Sequence, residues 1–281
     1  MKVLFRKILP VLLVALLPAP ALRAQDRPVA LPEVPEDLLE DDHVREEFGV
    51  NPFTAPSIRQ LFKDLDGLGE IPYERLSRKI PAVPPRHRAV VAVSLGILIS
   101  DGLVSVQCEK QGDLEPIGRA LLDHAKLLGA GDRMQRHTKS LVEHSLDGDW
   151  SELKDELAAT QKDVEAELVQ LRDVDLAHLI SLGGWLRAFQ IGCESVEDPF
   201  QPEKAATLPR TDIADYFVAM LETMDMQILR EDRIMRLREG LVGLRASFEL
   251  PEGSEAGPET VAAWKKAAGD LLELLTTNGE L

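Results

Sequence analysis

Aromatic residues are scarce in this chain. Phe, Trp and Tyr together make 5% of it, so aliphatic side chains must build the core. Cysteine is scarcer still: Cys108 and Cys193 are the only two, which leaves room for at most one internal disulfide. Linear catalytic signatures are missing. There is no Gly-x-Ser-x-Gly elbow, P-loop, dinucleotide glycine fingerprint, His-Glu-x-x-His or haem-type Cys-x-x-Cys-His. No motif therefore implies a cofactor, a metal or a named reaction. No stretch alternates β-branched with polar residues for any length, which argues against strands. Positive charge is also in deficit: 32 basic against 48 acidic residues give a formal net charge of −16. Such a field repels nucleic acid and anionic lipid, so neither is an expected partner.

What is present begins with an address. Lys2, Arg6 and Lys7 precede an apolar run over residues 8–17, and the small residues Ala19, Ala21 and Ala24 follow. That order reads as a secretory signal peptide, with cleavage expected after Ala24 and Ala21 as second choice. The run is too short to span a membrane, and Pro10, Pro18 and Pro20 interrupt it. The expected location is therefore periplasmic or secreted, with no transmembrane segment in the mature chain. Losing residues 1–24 removes four basic residues and takes the net charge from −16 to −20. An oxidising compartment predicts a Cys108–Cys193 disulfide, since cytosolic thiols would stay reduced.

Residues 25–56 read as a tether. Pro28, Pro32, Pro35, Pro52 and Pro56 are interleaved with eight acidic residues, a composition that disfavours a packed core. A helical bundle is predicted over 57–196, a proline-marked linker over 197–210 and a helical hairpin over 211–281, packed on the bundle. Within the bundle a short helix is expected over 57–65, then helices over 86–109, 114–128, 133–146, from 150 onward and over 176–195. Asp113 and Asp132 are the expected N-caps, and Gly129 and Gly148 the expected stops. The step Asp173-Val174-Asp175 is the expected break before the helix at 176. Beyond the linker one long helix is predicted over 211–248, capped by Thr211 and bent near Gly240 and Gly243, then another over 259–277. The fold class is all-α, a bundle of about seven to nine helices around two central apolar ones. A helical-repeat stack is the alternative, although repeat signature residues are missing.

The two central helices differ from the rest. Between Ala89 and Val106 only Asp101 is charged, and from Leu176 to Ile191 the polar residues are His178, Ser181, Arg187 and Gln190. A helix apolar nearly all round is buried. The later one carries a seam of small residues at Ala177, Ser181, Gly184, Ala188 and Gly192, the earlier one a shorter seam at Ala92, Gly96 and Ser100. Small seams let backbones approach closely. Up-and-down topology makes the two helices parallel. Asp101 then lies about 10.5 Å below Cys108 and Arg187 about 9 Å below Cys193, at similar heights. A charge in an apolar helix needs a partner, which predicts that Asp101 pairs with Arg187, or else with His178.

Other clusters carry less. Asp64-Leu65-Asp66-Gly67 hints at a calcium loop, but Phe62 and Tyr73 stand where its carboxylates belong. His137 and His144 are about 10.5 Å apart on one helix, too far to share a metal, and His124 adds no chelating motif. Met220, Met224, Met226 and Met235 suit core filling better than copper. The expected role is a non-enzymatic exported component that binds a ligand or another envelope protein. The alternative is an exported enzyme or cofactor binder with a site at the Asp101, His178 and Arg187 level.

Overall fold

Eleven helices, eight of them longer than one turn, and no strand make up the described residues of the computed structural model. Those residues are 67, 69–80, 84–171 and 173–276. The expected signal peptide, the tether, the helix at 57–65 and the Asp64–Asp66 turn lie outside them.

The centre is a pair of parallel helices, α2 (Arg88–Gln107) and α6 (Val174–Glu197). Every residue of α2 from Ala89 to Val106 is buried. With a mean hydropathy of 2.1 it is long and apolar enough to cross a membrane, yet here protein covers it on all sides. Arg88 meets Asp173 at one end, and Asp101 meets Arg187 farther along, so the chains run the same way. The backbones touch where side chains are smallest. A Cβ on Gly96 would lie 1.9 Å from the Ile180 carbonyl oxygen, and one on Gly183 would lie 2.1 Å from that of Val93. Ser100 spans the same seam by donating to the Gly184 carbonyl at 3.0 Å.

Three amphipathic helices wrap this pair: α3 (Gln111–Leu128), α4 (Gly131–Asp147) and α5 (Trp150–Gln170). Leu114, Ile117, Leu121, Ala125 and Leu128 form the buried stripe of α3, at the spacing of one helix face. Gly129 (φ 93°) and Gly148 (φ 74°) end α3 and α4 in the left-handed region, where a Cβ would be strained. Capping differs from expectation. α3 begins three residues before the expected start and α4 two, and neither has a side-chain cap; Asp113 and Asp132 sit in the first turns, where their charge still opposes the helix dipole.

The C-terminal region corrects the sequence reading. In place of one helix over 211–248 there are three: α8 (Thr211–Thr223), α9 (Met226–Leu229) and α10 (Asp232–Ala246). Asp225 makes the break, its side chain accepting from the Gln227 amide at 2.6 Å to cap α9. Gly240 and Gly243 both lie inside α10, and Gly240 receives Leu271 of α11 (Pro258–Thr276). Thr211 opens α8 as its first residue and does not cap it. Two single turns were not foreseen: α1 (Tyr73–Leu76) and α7 (Pro202–Ala205), the latter within the linker. Many of the scarce aromatics gather where α6 meets the C-terminal helices. Trp185 packs on Phe217 at 5.5 Å between centroids, and Phe248 on Trp264 at 5.5 Å. Ser94 of α2 also donates to the Leu275 carbonyl of α11 at 3.1 Å.

Candidate functional site: a polar seat beneath an N-terminal strap

Near the C-terminal ends of α2 and α6 the aliphatic core gives way to charge. Asp101 and Arg187 are 7% and 2% exposed, and Arg187 Nε–H donates to Asp101 Oδ1 at 2.7 Å. The other guanidinium nitrogens are engaged as well: one donates to Gln190 Oε1 and one to the main-chain carbonyl of Leu76 at 2.5 Å. Asp101 Oδ2 is buried and has no hydrogen bond; Arg78 Nε stands 3.6 Å from it. Burial holds the Arg78 guanidinium below its ordinary range, Asp101 opposes that fall, and the like charge of Arg187 adds to it.

Leu76 and Arg78 belong to residues 69–80, a strap that crosses this end of the central pair. Tyr73 anchors it. The hydroxyl donates to the Asp113 carboxylate of α3 and lies 3.0 Å from Ser105 Oγ of α2. Burial and then the acceptor carboxylate push the phenol up to about 12. Arg75 pairs with Glu194 of α6 at 2.9 Å, and Lys265 of α11 reaches the other oxygen of that carboxylate at 3.1 Å. Lys110 stands 4.9 Å over the Tyr73 ring and 3.0 Å from Glu74. Only Ile71 and Leu76 of the strap are buried apolar residues.

A cavity of about 30 Å³ remains under the strap, bounded by Tyr73, Arg78, Asp101, Ser105 and Arg187. That is the room one water takes. Beside it a groove of about 530 Å³ opens between residues 69–75 and Gln107, Cys108 and Lys110. The serine hydroxyls nearby donate to main-chain carbonyls, Ser105 to Asp101 at 2.9 Å and Ser100 to Gly184, so neither is poised against a base.

His178 is not part of this seat. It lies nine residues before Arg187, about 13.5 Å down the helix, and its Nδ1 is hydrogen-bonded to the Tyr216 hydroxyl of α8 at 2.7 Å. The expected disulfide is not formed either: Cys108 and Cys193 are both free thiols. Their surroundings differ. Cys108 follows the end of α2 and lines the groove by the strap, whereas Cys193 is buried near Lys265 of α11. Burial raises both thiols, that of Cys193 the more.

The histidines stand apart. His137 lies between Glu156 (2.5 Å) and Asp163 (3.0 Å), His144 is 3.8 Å from Asp149, and His124 bonds the Ala120 carbonyl. Among the described residues no three His, Cys, Asp or Glu side chains are grouped to hold a metal ion. Met220 and Met224 are in the core, while Met226 and Met235 are exposed.

Sequence reasoning met Tyr73 only as a misfit in a calcium loop and passed over Arg75 and Arg78. All three sit in a short stretch before three prolines, without helical spacing, and the partners Asp101, Asp113 and Glu194 are 23, 40 and 119 residues away. In comparisons with family models, curated proteins and solved structures, the chain matches none.

Proposed function

We propose that this is an exported, non-enzymatic protein that binds a protein partner in the cell envelope or outside the cell. The observation that carries the reading is the state of the polar seat. The charged level of the central helices is filled by the chain's own residues 71–78, and the space left there, about 30 Å³, suits a water and no larger substrate. Arg187 is committed to three acceptors, and His178 is turned to Tyr216. An enzyme with a site at this level would need those groups converging on an open pocket. Export rests on residues 1–24, whose basic, apolar and small-residue regions follow in signal-peptide order.

The test is production of the full-length chain with a C-terminal tag in its native cells. Fractionation and N-terminal sequencing should find the protein outside the cytoplasm and beginning at Gln25. Cross-linking in those cells, followed by mass spectrometry of the purified adduct, should return one protein in near-stoichiometric amount. An uncleaved cytoplasmic protein would remove the export half. A tightly held small molecule in native mass spectrometry, with no protein adduct, would remove the binding half in favour of an enzyme or cofactor carrier.

A further inference from the structure

We propose that the seat beneath residues 69–80 is a peptide-binding site, held in this structure by the chain's own strap and open to a basic, tyrosine-bearing segment of a partner. The inference rests on the protein-binding reading above and deepens it.

The contacts are those of peptide recognition. Arg187, fixed from behind by Asp101 and Gln190, donates to a main-chain carbonyl, a group that any peptide supplies. Around that point the seat reads side chains: Asp113 and Ser105 the Tyr73 hydroxyl, Glu194 the Arg75 guanidinium, Asp101 the charge of Arg78. Leu76, 3% exposed, fills the apolar position between them. The pattern read is tyrosine, then arginine two residues on, leucine three on and arginine five on. Glu194 and Asp101 each take an arginine of the strap, Arg75 and Arg78, even with Arg187, Lys110 and Lys265 beside them, so the seat accepts a basic occupant, as does the net charge of −16 over the whole chain.

The strap fits this seat loosely. Arg78 stops 3.6 Å from Asp101, the Oδ2 atom there has no hydrogen bond, and the cavity lies between them. Ion pairs at the strap's outer edge are solvent-exposed and contribute little: Arg75 with Asp198 at 3.4 Å, Lys110 with Glu74 at 3.0 Å. The core beneath is built mainly by α2 and α6 packed by α3, α5 and α11, and the strap adds only Ile71 and Leu76 to it. The adjoining groove of about 530 Å³ leaves room for an occupant bulkier than residues 69–72. A partner segment that satisfies Asp101, fills the cavity and covers the apolar surface left by Ile71 and Leu76 outcompetes the strap.

The probe is a fluorescein-labelled peptide of residues 69–80, followed by anisotropy with the full chain. Tyr73→Phe with Arg75→Ala loosens the resident strap and leaves the seat untouched. Because a resident strap reduces apparent affinity by the fraction of time the seat is open, the probe should bind this variant about tenfold more tightly than the parent. A probe carrying phenylalanine in place of its tyrosine should lose that gain. Hydrogen exchange on the unmodified chain gives a second reading: amides of residues 73–78 should exchange at least about a thousandfold faster than those in the middle of α2. No probe binding to a folded double variant, or strap amides as protected as α2, overturns the proposal. Such a failure beside a stoichiometric cross-linked partner leaves the broader reading standing, with the partner on another surface. Probe binding without any partner in cells removes the broader reading alone.

Discussion

Arg187 and Asp101 lie 86 residues apart and meet through a 2.7 Å hydrogen bond inside a mostly apolar helix pair. Removing one member strands the other. Asp101→Ala should cost about 3–5 kcal/mol of stability in urea unfolding, because two guanidinium groups then face an apolar gap. Adding Arg187→Met should recover much of that loss, since no unpaired buried charge remains on α6. Additive losses in the double mutant would contradict a direct pair.

The helix seam separates glycines that look alike. Gly96→Ala and Gly183→Ala each place a Cβ about 2 Å from a carbonyl oxygen of the facing helix, so a backbone has to move. Each should lower stability by about 1–3 kcal/mol or more. Gly184→Ala meets nothing closer than 3.6 Å and should be neutral or gain up to about 1 kcal/mol from helix propensity. Thermal unfolding of the three variants decides it. Equal effects would mean the seam is not in contact.

Thiol titration distinguishes the two cysteines. Cys108 is partly exposed and should react with an aromatic disulfide reagent in the native protein. Cys193, fully buried and with its thiol pushed up by burial, should react only on unfolding. Denatured, non-reduced protein should show two thiols. Finding none would show that the native compartment oxidises the pair after all.

His124 sets an acid limit. It is 2% exposed and its Nδ1–H donates to the Ala120 carbonyl, so burial pushes its basicity below the ordinary histidine value of 6.5. A depressed folded value means that the unfolded chain binds the extra proton more readily. The stabilising contribution is then complete above pH 6.5 and declines as pH falls below it. Stability measured from pH 7.5 to 5 should fall more steeply for the parent than for His124→Phe. Parallel curves would exclude His124 as the source.

Height along a helix is legible in a sequence, and azimuth is much less so. A rise of about 1.5 Å per residue sets Asp101 level with Arg187, and the two do meet. The same arithmetic sets Cys108 near Cys193, yet one faces the strap and the other α11, because nothing local fixes which flank the C-terminal helices cover. All-round apolarity identified α2 and α6 as central without knowledge of any partner. The break between α8 and α10 hid behind apolar residues at helical spacing, since Asp225 is as acceptable on a helix face as at a cap. The strap had no periodicity to read. Its residues matter through Asp113, Arg187 and Glu194, and a distant partner leaves no local trace in the residues before it.

One consequence of α2 concerns the chain before it folds. Under the export proposed above, a helix with the hydropathy of a membrane span passes a bilayer that can also dissolve it. Two solvents compete for the same twenty residues, lipid during passage and the folded bundle afterwards. Asp101 weighs on both choices. Near the middle of a lateral exit into lipid its charge opposes retention by a few kcal/mol. Once across, Arg187 gives that charge a reason to be buried. On that proposed route the residue that opposes retention of α2 in lipid is also the one that pairs with α6 in the folded bundle.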